Sequence, residues 1–203
     1  MISRLLPRKI RTMRTLKQNE QGTTVMEFGL IATVFVTLLL GLFDLAQTAY
    51  TQSVLNGAVQ TAARSSSLET GNTTIADTQV TNLVRATAPN ATVTSSRLSY
   101  FDFDDIERPE SWNDANDDGL CNDGEGYTDE NDNGMWDEDI GVSGNGGAGD
   151  VVVYSVTVSY MPLFPNPFVS NGEDRRRLSA STVNKNQPFA DQATYGSTAG
   201  TCD

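Results

Sequence analysis

A single apolar run near the start of the chain sets the strongest limit on how this protein can fold. Residues 28–43 read FGLIATVFVTLLLGLF without a charge, between Glu27 and Asp44. Residues 23–26 and 45–50 extend this run on either side. The whole stretch can form a helix that crosses a hydrocarbon layer of about 30 Å, for which about 20 residues are needed. Backbone groups in lipid must bond to one another, so we expect this segment to be helical.

The charges around the run indicate its orientation. The six basic residues before it are Arg4, Arg8, Lys9, Arg11, Arg14 and Lys17, and the next one after it is Arg64. This asymmetry places the N-terminus in the cytoplasm and the residues beyond about 50 outside. A buried core helix is an alternative that the basic flank disfavours. A cleaved secretory signal is another alternative. Such signals have a shorter apolar region than this run and end in an Ala-x-Ala-like site, which the residues after the run match poorly.

Composition excludes several chemistries. The chain has 203 residues, with 26 acidic side chains, 14 basic ones and no histidine. Without histidine there is no Ser-His-Asp triad, no Cys-His dyad and no His-rich zinc site. The acidic balance disfavours binding to phosphate backbones, so we expect no nucleic-acid partner. The basic triplet at 175–177 is interpreted as a solvated turn or strand start, and we expect no enzymatic activity.

The remaining patterns predict an α+β fold, with a long N-terminal helix packed on a small antiparallel sheet. Small apolar residues recur at helical spacing up to Ser67, and a second helix is expected over 74–88, with Ile75, Val80, Leu83 and Val84 inward. Strands are expected over 92–104, 150–161 and 176–184. The expected segments are a basic leader (1–22), a transmembrane helix (23–48), a helical stem with the first strand (49–104), an acidic insertion (105–149), the last strands (150–190) and a flexible tail (191–203).

The acidic insertion contains a stretch that has the spacing of a calcium loop. Residues 114–125, DANDDGLCNDGE, fit the pattern D-x-[DN]-x-[DN]-G-x₅-E at every specified position. Alternate oxygens can surround a hard cation while the glycine permits the sharp turn. The expected ligands are Asp114, Asn116, Asp118, the carbonyl of Leu120, and Glu125.

A second stretch, residues 129–139, repeats the oxygens and the glycine but has Ile140 at the twelfth place. Its expected ligands are Asp129, Asn131, Asn133, the carbonyl of Met135, Asp137 and Asp139. Because Pro109 precedes the pair of loops and a glycine-rich stretch follows it, we expect calcium loops inserted between strands rather than a helix–loop–helix unit. The alternative is a solvated, disordered acidic linker, which the composition also permits.

The two cysteines lie far apart in the sequence. Cys121 is inside the first loop and Cys202 is the second residue from the end. Outside the cytoplasm they can form a disulfide that ties the tail to the acidic insertion. The alternative is a pair of unbonded thiols.

The start of the apolar run resembles the type IV prepilin class, in which cleavage follows a glycine and the fifth mature residue is glutamate. Gly22, Thr23 and Glu27 occupy these places. In detail, the stretch over 21–68 is similar to the TadE-like family, the minor pseudopilins of tight-adherence (Flp) pilus systems. Further matching positions are Phe28, Gly41, Asn56, Ala58, Ala62, Ala63 and Arg64.

The resemblance implies a structural subunit for pilus assembly that takes part in cell adhesion. Its implied partners are a prepilin peptidase, other pilins and pseudopilins, the inner-membrane assembly platform and membrane lipid. It implies a single-pass inner-membrane protein whose acidic domain is periplasmic or part of the extracellular pilus. The alternative is a membrane-anchored extracytoplasmic calcium-binding or adhesive protein that does not enter a fibre.

Overall fold

The computed structural model describes residues 21–163 and 175–202. The basic leader up to residue 20, most of the turn expected at 162–167, and the C-terminal Asp203 lie outside the described residues. The described chain divides into two compact units, the first ending at Leu45 and the second beginning at Ala46.

The first helix, α1, extends over Gln21–Ser66 and contributes to both units. In the first unit its apolar side chains are exposed; Phe28, for example, is 72% exposed. Among the described residues this is the one helix that is long and apolar enough to cross a membrane. It fits the single-pass anchor that the apolar run predicts.

Among its described residues the second unit adds one α-helix and six strands. They are α2 (Thr73–Thr87), β1 (Thr92–Tyr100), β2 (Gly126–Asp129), β3 (Val142–Ser143), β4 (Val151–Tyr160), β5 (Arg176–Lys185) and β6 (Thr198–Thr201). Four strands form an antiparallel sheet in the order β3-β1-β4-β5. The valine-rich β4 pairs with β1 from Val151 to Ser159 and with β5 along its whole length, consistent with the preference of β-branched residues for strands.

Side chains that alternate along β4 build the core, since successive residues of a strand point to opposite faces. Those on the helix-facing side are buried: Tyr154, Val156, Val158 and Tyr160. They form one cluster with α1 side chains, namely Leu55, Ala58, Val59, Ala62 and Ala63. The small alanines let helix and sheet approach closely, and the α+β prediction is confirmed.

Contacts at its two ends show how the second unit's part of α1 lies along the sheet. The Tyr160 hydroxyl contacts the Thr48 hydroxyl at 3.3 Å, at the end of the sheet where β4 finishes. At the other end the side-chain amide of Asn145 donates to the carbonyl of Ser66 at 2.9 Å. The acidic insertion leaves the sheet at this Ser66 end, between β1 and β4.

Helix α2 buries a face that differs in part from the expected one: Val80 and Val84 are buried as expected, but the other two predicted residues are not. Ala76, Val80 and Val84 are buried at a spacing of four residues. The prediction that Ile75 and Leu83 point inward is wrong, because they are 57% and 50% exposed. Each precedes a buried residue by one position, which is about 100° around a helix.

Two segments also differ from expectation. Strand β1 ends at Tyr100 rather than at residue 104, because a 3₁₀ turn follows at Phe103–Asp105. The tail, expected to be flexible from residue 191, contains β6. This strand is ordered because its backbone pairs with β2, from Gly126 opposite Thr201 to Asp129 opposite Thr198.

Candidate functional site

The exposed apolar part of α1 carries one unusual group. Between residues 22 and 43 the only charged side chain is Glu27, and it is exposed. An ionised carboxylate in or near lipid costs a few kcal/mol unless a partner compensates it. The glycine five residues earlier, Gly22, is also helical and has nothing within 4 Å of an added Cβ. Its small size therefore serves no packing need within the described chain.

The first acidic loop is organised by its own side-chain oxygens. The Asp114 carboxylate accepts from the backbone N–H of Asp118 at 3.1 Å and from that of Gly119 at 2.9 Å. Asn116 Oδ1 accepts from the same Asp118 N–H at 3.0 Å, and Asp118 Oδ1 accepts from Leu120 N–H at 2.8 Å. Gly119 has φ +78°, so glycine suits this turn.

The second loop repeats this arrangement bond for bond. The Asp129 carboxylate accepts from Asn133 N–H at 3.1 Å and from Gly134 N–H at 2.7 Å. Asn131 Oδ1 accepts from the Asn133 N–H at 3.1 Å, and Asn133 Oδ1 accepts from Met135 N–H at 2.8 Å. The glycine again has a positive φ, here +83°. The two loops therefore have one local fold, fifteen residues apart.

Glu125 closes the first loop. Its side chain is 6% exposed. One carboxylate oxygen accepts from the N–H of Ala115, the second loop residue, at 2.7 Å. The other accepts from the N–H of Asn122, the ninth, at 3.4 Å. The closing glutamate thus ties together the beginning and the end of its loop.

In the second loop a residue from outside the pattern does the same. Ile140 holds the twelfth place, but Glu110 accepts from the N–H of Glu130, the second loop residue, at 2.7 Å. Its other oxygen accepts from the N–H of Asp137, the ninth, at 3.2 Å. Glu110 is fully buried. It therefore occupies the structural place in the second loop that Glu125 occupies in the first.

With Glu110 counted, the two loops have the same number of carboxylates at their corresponding ligand positions. The first loop has Asp114, Asp118 and Glu125, and the second has Asp129, Asp137 and Glu110. In the first, the fifth residue is acidic and accepts from the Asn122 amide at 3.0 Å. In the second, the ninth is acidic and accepts from the Asn131 amide at 2.8 Å. The acid and the amide thus exchange places between the fifth and ninth positions, while each loop keeps three carboxylates at its ligand positions.

The chain before the first loop positions Glu110. Its backbone N–H donates to the Asp137 carbonyl at 3.0 Å, and its carbonyl accepts from the Trp136 indole at 3.2 Å. Nearby, Arg108 forms salt bridges with Glu130 at 2.6 Å and with Asp105 at 3.0 Å. The hydrogen bond from Arg108 holds the pKa of Glu130 below its usual range. Arg108, the single basic residue from 102 to 139, therefore anchors the second loop.

Asp139 accepts hydrogen bonds from groups outside the second loop. One of its oxygens accepts from the Tyr100 hydroxyl at 3.0 Å and the other from the Gly141 N–H at 3.1 Å. Burial and this carboxylate raise the pKa of Tyr100 to about 12. Asp139, expected among the closing ligands, thus also connects the insertion to the end of β1, and its role as a ligand stays a prediction.

Within residues 21–163 and 175–202 no three Asp, Glu or Cys side chains are gathered closely enough to hold a metal ion. The loop oxygens bind backbone N–H groups. Each carboxylate oxygen has a further lone pair beyond the one that accepts such a bond. Three carboxylates with amide and carbonyl oxygens form the hard donor set that calcium prefers.

The structure joins Cys121 to Cys202, with Cα atoms 5.5 Å apart. The bond connects the first loop to the residue that follows β6. Beside it, Cys202 N–H donates to the Glu125 carbonyl at 2.8 Å, and Gly124 N–H donates to the Cys202 carbonyl at 2.9 Å. The C-terminal end of the chain is therefore held at the exit of the first loop.

The first unit has the features of a membrane-anchored protein, and the second is a small α+β domain with an acidic insertion. Residues 22–64 match the model of the family described as TadE-like protein. This match confirms the resemblance over that segment, and the matched family is one of structural proteins associated with Tad pili. No curated protein and no solved structure matches the chain.

Proposed function

We propose that this protein is a minor pilin-like (pseudopilin) subunit for the assembly of a tight-adherence pilus, cleaved by a prepilin peptidase after Gly22. The observation that carries the proposal is the position of the family match, which begins at Gly22 and contains Glu27 as the only charge up to residue 43. With cleavage after Gly22, Glu27 becomes the fifth residue of the mature chain, as in the prepilins it resembles.

Cleavage supplies the partner that Glu27 requires. It creates a positive α-amino group on Thr23, at the beginning of the exposed apolar helix. In a bundle of such helices this amine pairs with the Glu27 carboxylate of a neighbouring subunit. In low dielectric the pair neutralises two charges that are each costly alone, so it favours insertion next to another subunit in one register.

Two glycine variants test the processing step with a matched control. Both Gly22 and Gly29 are helical, and an added Cβ meets nothing within 4 Å at either position. Gly22→Ala should leave the leader attached, while Gly29→Ala should be cleaved normally; N-terminal sequencing of membrane-extracted protein reads the outcome. Wild-type protein that retains its first 22 residues beside an active peptidase would contradict the proposal and favour the unprocessed membrane anchor.

Glu27→Ala tests the role in assembly separately from cleavage. Because the variant removes a charge from the apolar segment, membrane insertion should be retained. Loss of the ion pair should reduce the amount of assembled pilus on the cell surface, measured by electron microscopy and shear release. Unchanged piliation would count against the pairing role of Glu27.

A second activity, calcium binding by the acidic insertion, is proposed on a separate observation. The same set of backbone hydrogen bonds occurs in two loops, and each loop has three carboxylates at its proposed ligand positions once Glu110 is counted. The ligands in the first loop are those expected from its sequence, whereas Glu110 replaces a twelfth-place glutamate in the second. Calcium offsets the mutual repulsion of these carboxylates and stabilises the insertion.

Calcium titration of the full chain in detergent, after treatment with a chelator, tests this activity. We expect binding heat for two ions and a change in tryptophan fluorescence, because both tryptophans of the chain, Trp112 and Trp136, lie in the insertion. Magnesium, which requires a smaller octahedral site, should compete weakly. Absence of both signals at millimolar calcium would refute calcium binding and leave the pilin-like role standing.

A further inference from the structure

We propose that strand β6 and the Cys121–Cys202 disulfide form a redox-sensitive clamp that sets the calcium affinity of the first loop. The inference rests on the proposed calcium binding. It adds a regulatory element to that site, formed by the last residues of the chain rather than by the loop itself.

The clamp acts on Glu125, the closing residue of the first loop. Strand β6 holds the backbone on this side: Cys202 N–H donates to the Glu125 carbonyl, and Gly124 N–H donates to the Cys202 carbonyl. On the other side the Glu125 carboxylate accepts from the Ala115 N–H at 2.7 Å. Movement of the backbone at Glu125 therefore moves the carboxylate relative to the other ligands of its loop.

The disulfide reinforces a short strand: just upstream, Gly196 N–H donates to the Glu130 carbonyl at 2.8 Å, but β6 itself pairs with β2 over only four residues. The strand is four residues long, with the sequence TAGT, and three of its side chains are exposed. A two-stranded pair of this length is at best marginally stable in water. The loop that it holds also lacks apolar support, since Leu120 is 60% exposed. The disulfide keeps β6 at a high effective concentration next to β2.

Opening the clamp requires a dithiol reductant. One thiolate of the reductant attacks the disulfide, forms a mixed disulfide and releases one cysteine thiolate. Its second thiol then displaces the other cysteine and closes a ring. Two electrons and two protons pass to the protein, which gains two thiols, while the reductant becomes a cyclic disulfide. Cys121 is partly exposed, so the bond is accessible.

Two variants open the clamp by different routes. The double variant Cys121→Ser/Cys202→Ser removes the covalent bond. Gly200→Ala keeps it but places a Cβ 2.3 Å from the Tyr127 ring, which forces β6 away from β2. The matched control is Ala199→Ser, a similarly small change at the neighbouring exposed position of the same strand. Circular dichroism of each full-length variant in detergent checks that the domain remains folded.

Calcium titration of these proteins, and of the wild type before and after dithiothreitol treatment, tests the inference. We expect one of the two binding events to weaken about 10- to 100-fold in the double variant, in Gly200→Ala and in the reduced wild type, as is usual when a group that orients a ligand is lost. The control should bind like the oxidised wild type.

The outcomes separate the two proposals. Weakening of one event in the opened proteins supports the clamp. Oxidised wild type that binds calcium, with unchanged affinity after reduction and in both variants, overturns the clamp and leaves the calcium site in place. Oxidised wild type that binds no calcium overturns both. If the double variant does not fold, the reduced wild type and Gly200→Ala decide.

Discussion

The two halves of the second unit are stabilised by opposite kinds of interior. Between α1, α2 and the four-stranded sheet the buried side chains are mostly valine, alanine and tyrosine. In the acidic insertion, several of the most buried side chains are carboxylates, among them Glu110, Glu125 and Asp129. The first interior is stabilised by exclusion of water. The second needs a partner for every buried charge, since an uncompensated one is costly.

The two interiors tolerate different changes. The apolar core depends on volume, so its stability should be sensitive to cavities and insensitive to calcium. The insertion depends on backbone N–H groups, Arg108 and a disulfide, so its stability should be sensitive to the removal of single oxygens and to ionic conditions. Each of the following predictions tests one side of this contrast.

The largest expected effect comes from a cavity in the core. Leu55 is fully buried between α1 and the sheet. Leu55→Ala should reduce the free energy of unfolding by about 2–5 kcal/mol. Urea unfolding followed by far-UV circular dichroism measures it. Leu120→Ala, a matched change at a 60% exposed leucine of the insertion, should change it little, and equal losses in the two variants would contradict the contrast.

A smaller effect is expected when one carboxylate of the insertion becomes an amide. Glu110→Gln removes an acceptor of backbone N–H bonds and should cost about 1–3 kcal/mol locally. Hydrogen exchange of the insertion amides measures this loss. Glu125→Gln is the matched change in the first loop. Each variant should lose one calcium-binding event and keep the other; loss of neither in Glu110→Gln would remove this residue from the proposed ligands.

The smallest effect concerns a polar cluster at the edge of the apolar core. Asp77 accepts from Arg97 and from the Tyr154 hydroxyl. Burial opposes ionisation, but the bonds from Arg97, Tyr154 and Ser95 outweigh it and lower the pKa of Asp77 below 3.8.

The sign of the pH effect follows from this lowered pKa. A carboxylate with a lowered folded-state pKa stabilises the fold above its unfolded value, and the contribution is lost as pH falls through the folded value. Stability should therefore fall by about 1 kcal/mol or less from this cluster below about pH 4. Unfolding midpoints measured against pH should show a shallower acid loss in Asp77→Asn, and an unchanged slope would contradict the assignment.

The sequence predicts those parts that local pattern controls. The uncharged run predicts the apolar helix, alternating valines predict β4, and the oxygen spacing locates both acidic loops. Glu110 escaped prediction because it precedes the loops and reaches the second one only through the tertiary pairing of its own segment. The sequence did contain one signal: the second loop has no glutamate at its twelfth place, and Glu110 is an acidic residue before the loops that had no assigned role. The exposure of Ile75 and Leu83 also depends on how α2 packs in the domain, which the periodicity of its sequence alone does not define.

The attachment point of the insertion has an electrostatic consequence. In the second unit, Thr48 of α1 contacts Tyr160 at one end of the sheet, Ser66 contacts Asn145 of the loop before β4, and the insertion emerges at the Ser66 end. Eighteen residues of helix span about 27 Å. At physiological ionic strength the screening length is about 8 Å. The negative potential of the insertion therefore decays almost completely before it reaches the Thr48 end, and surfaces there interact with their surroundings as though the insertion were neutral.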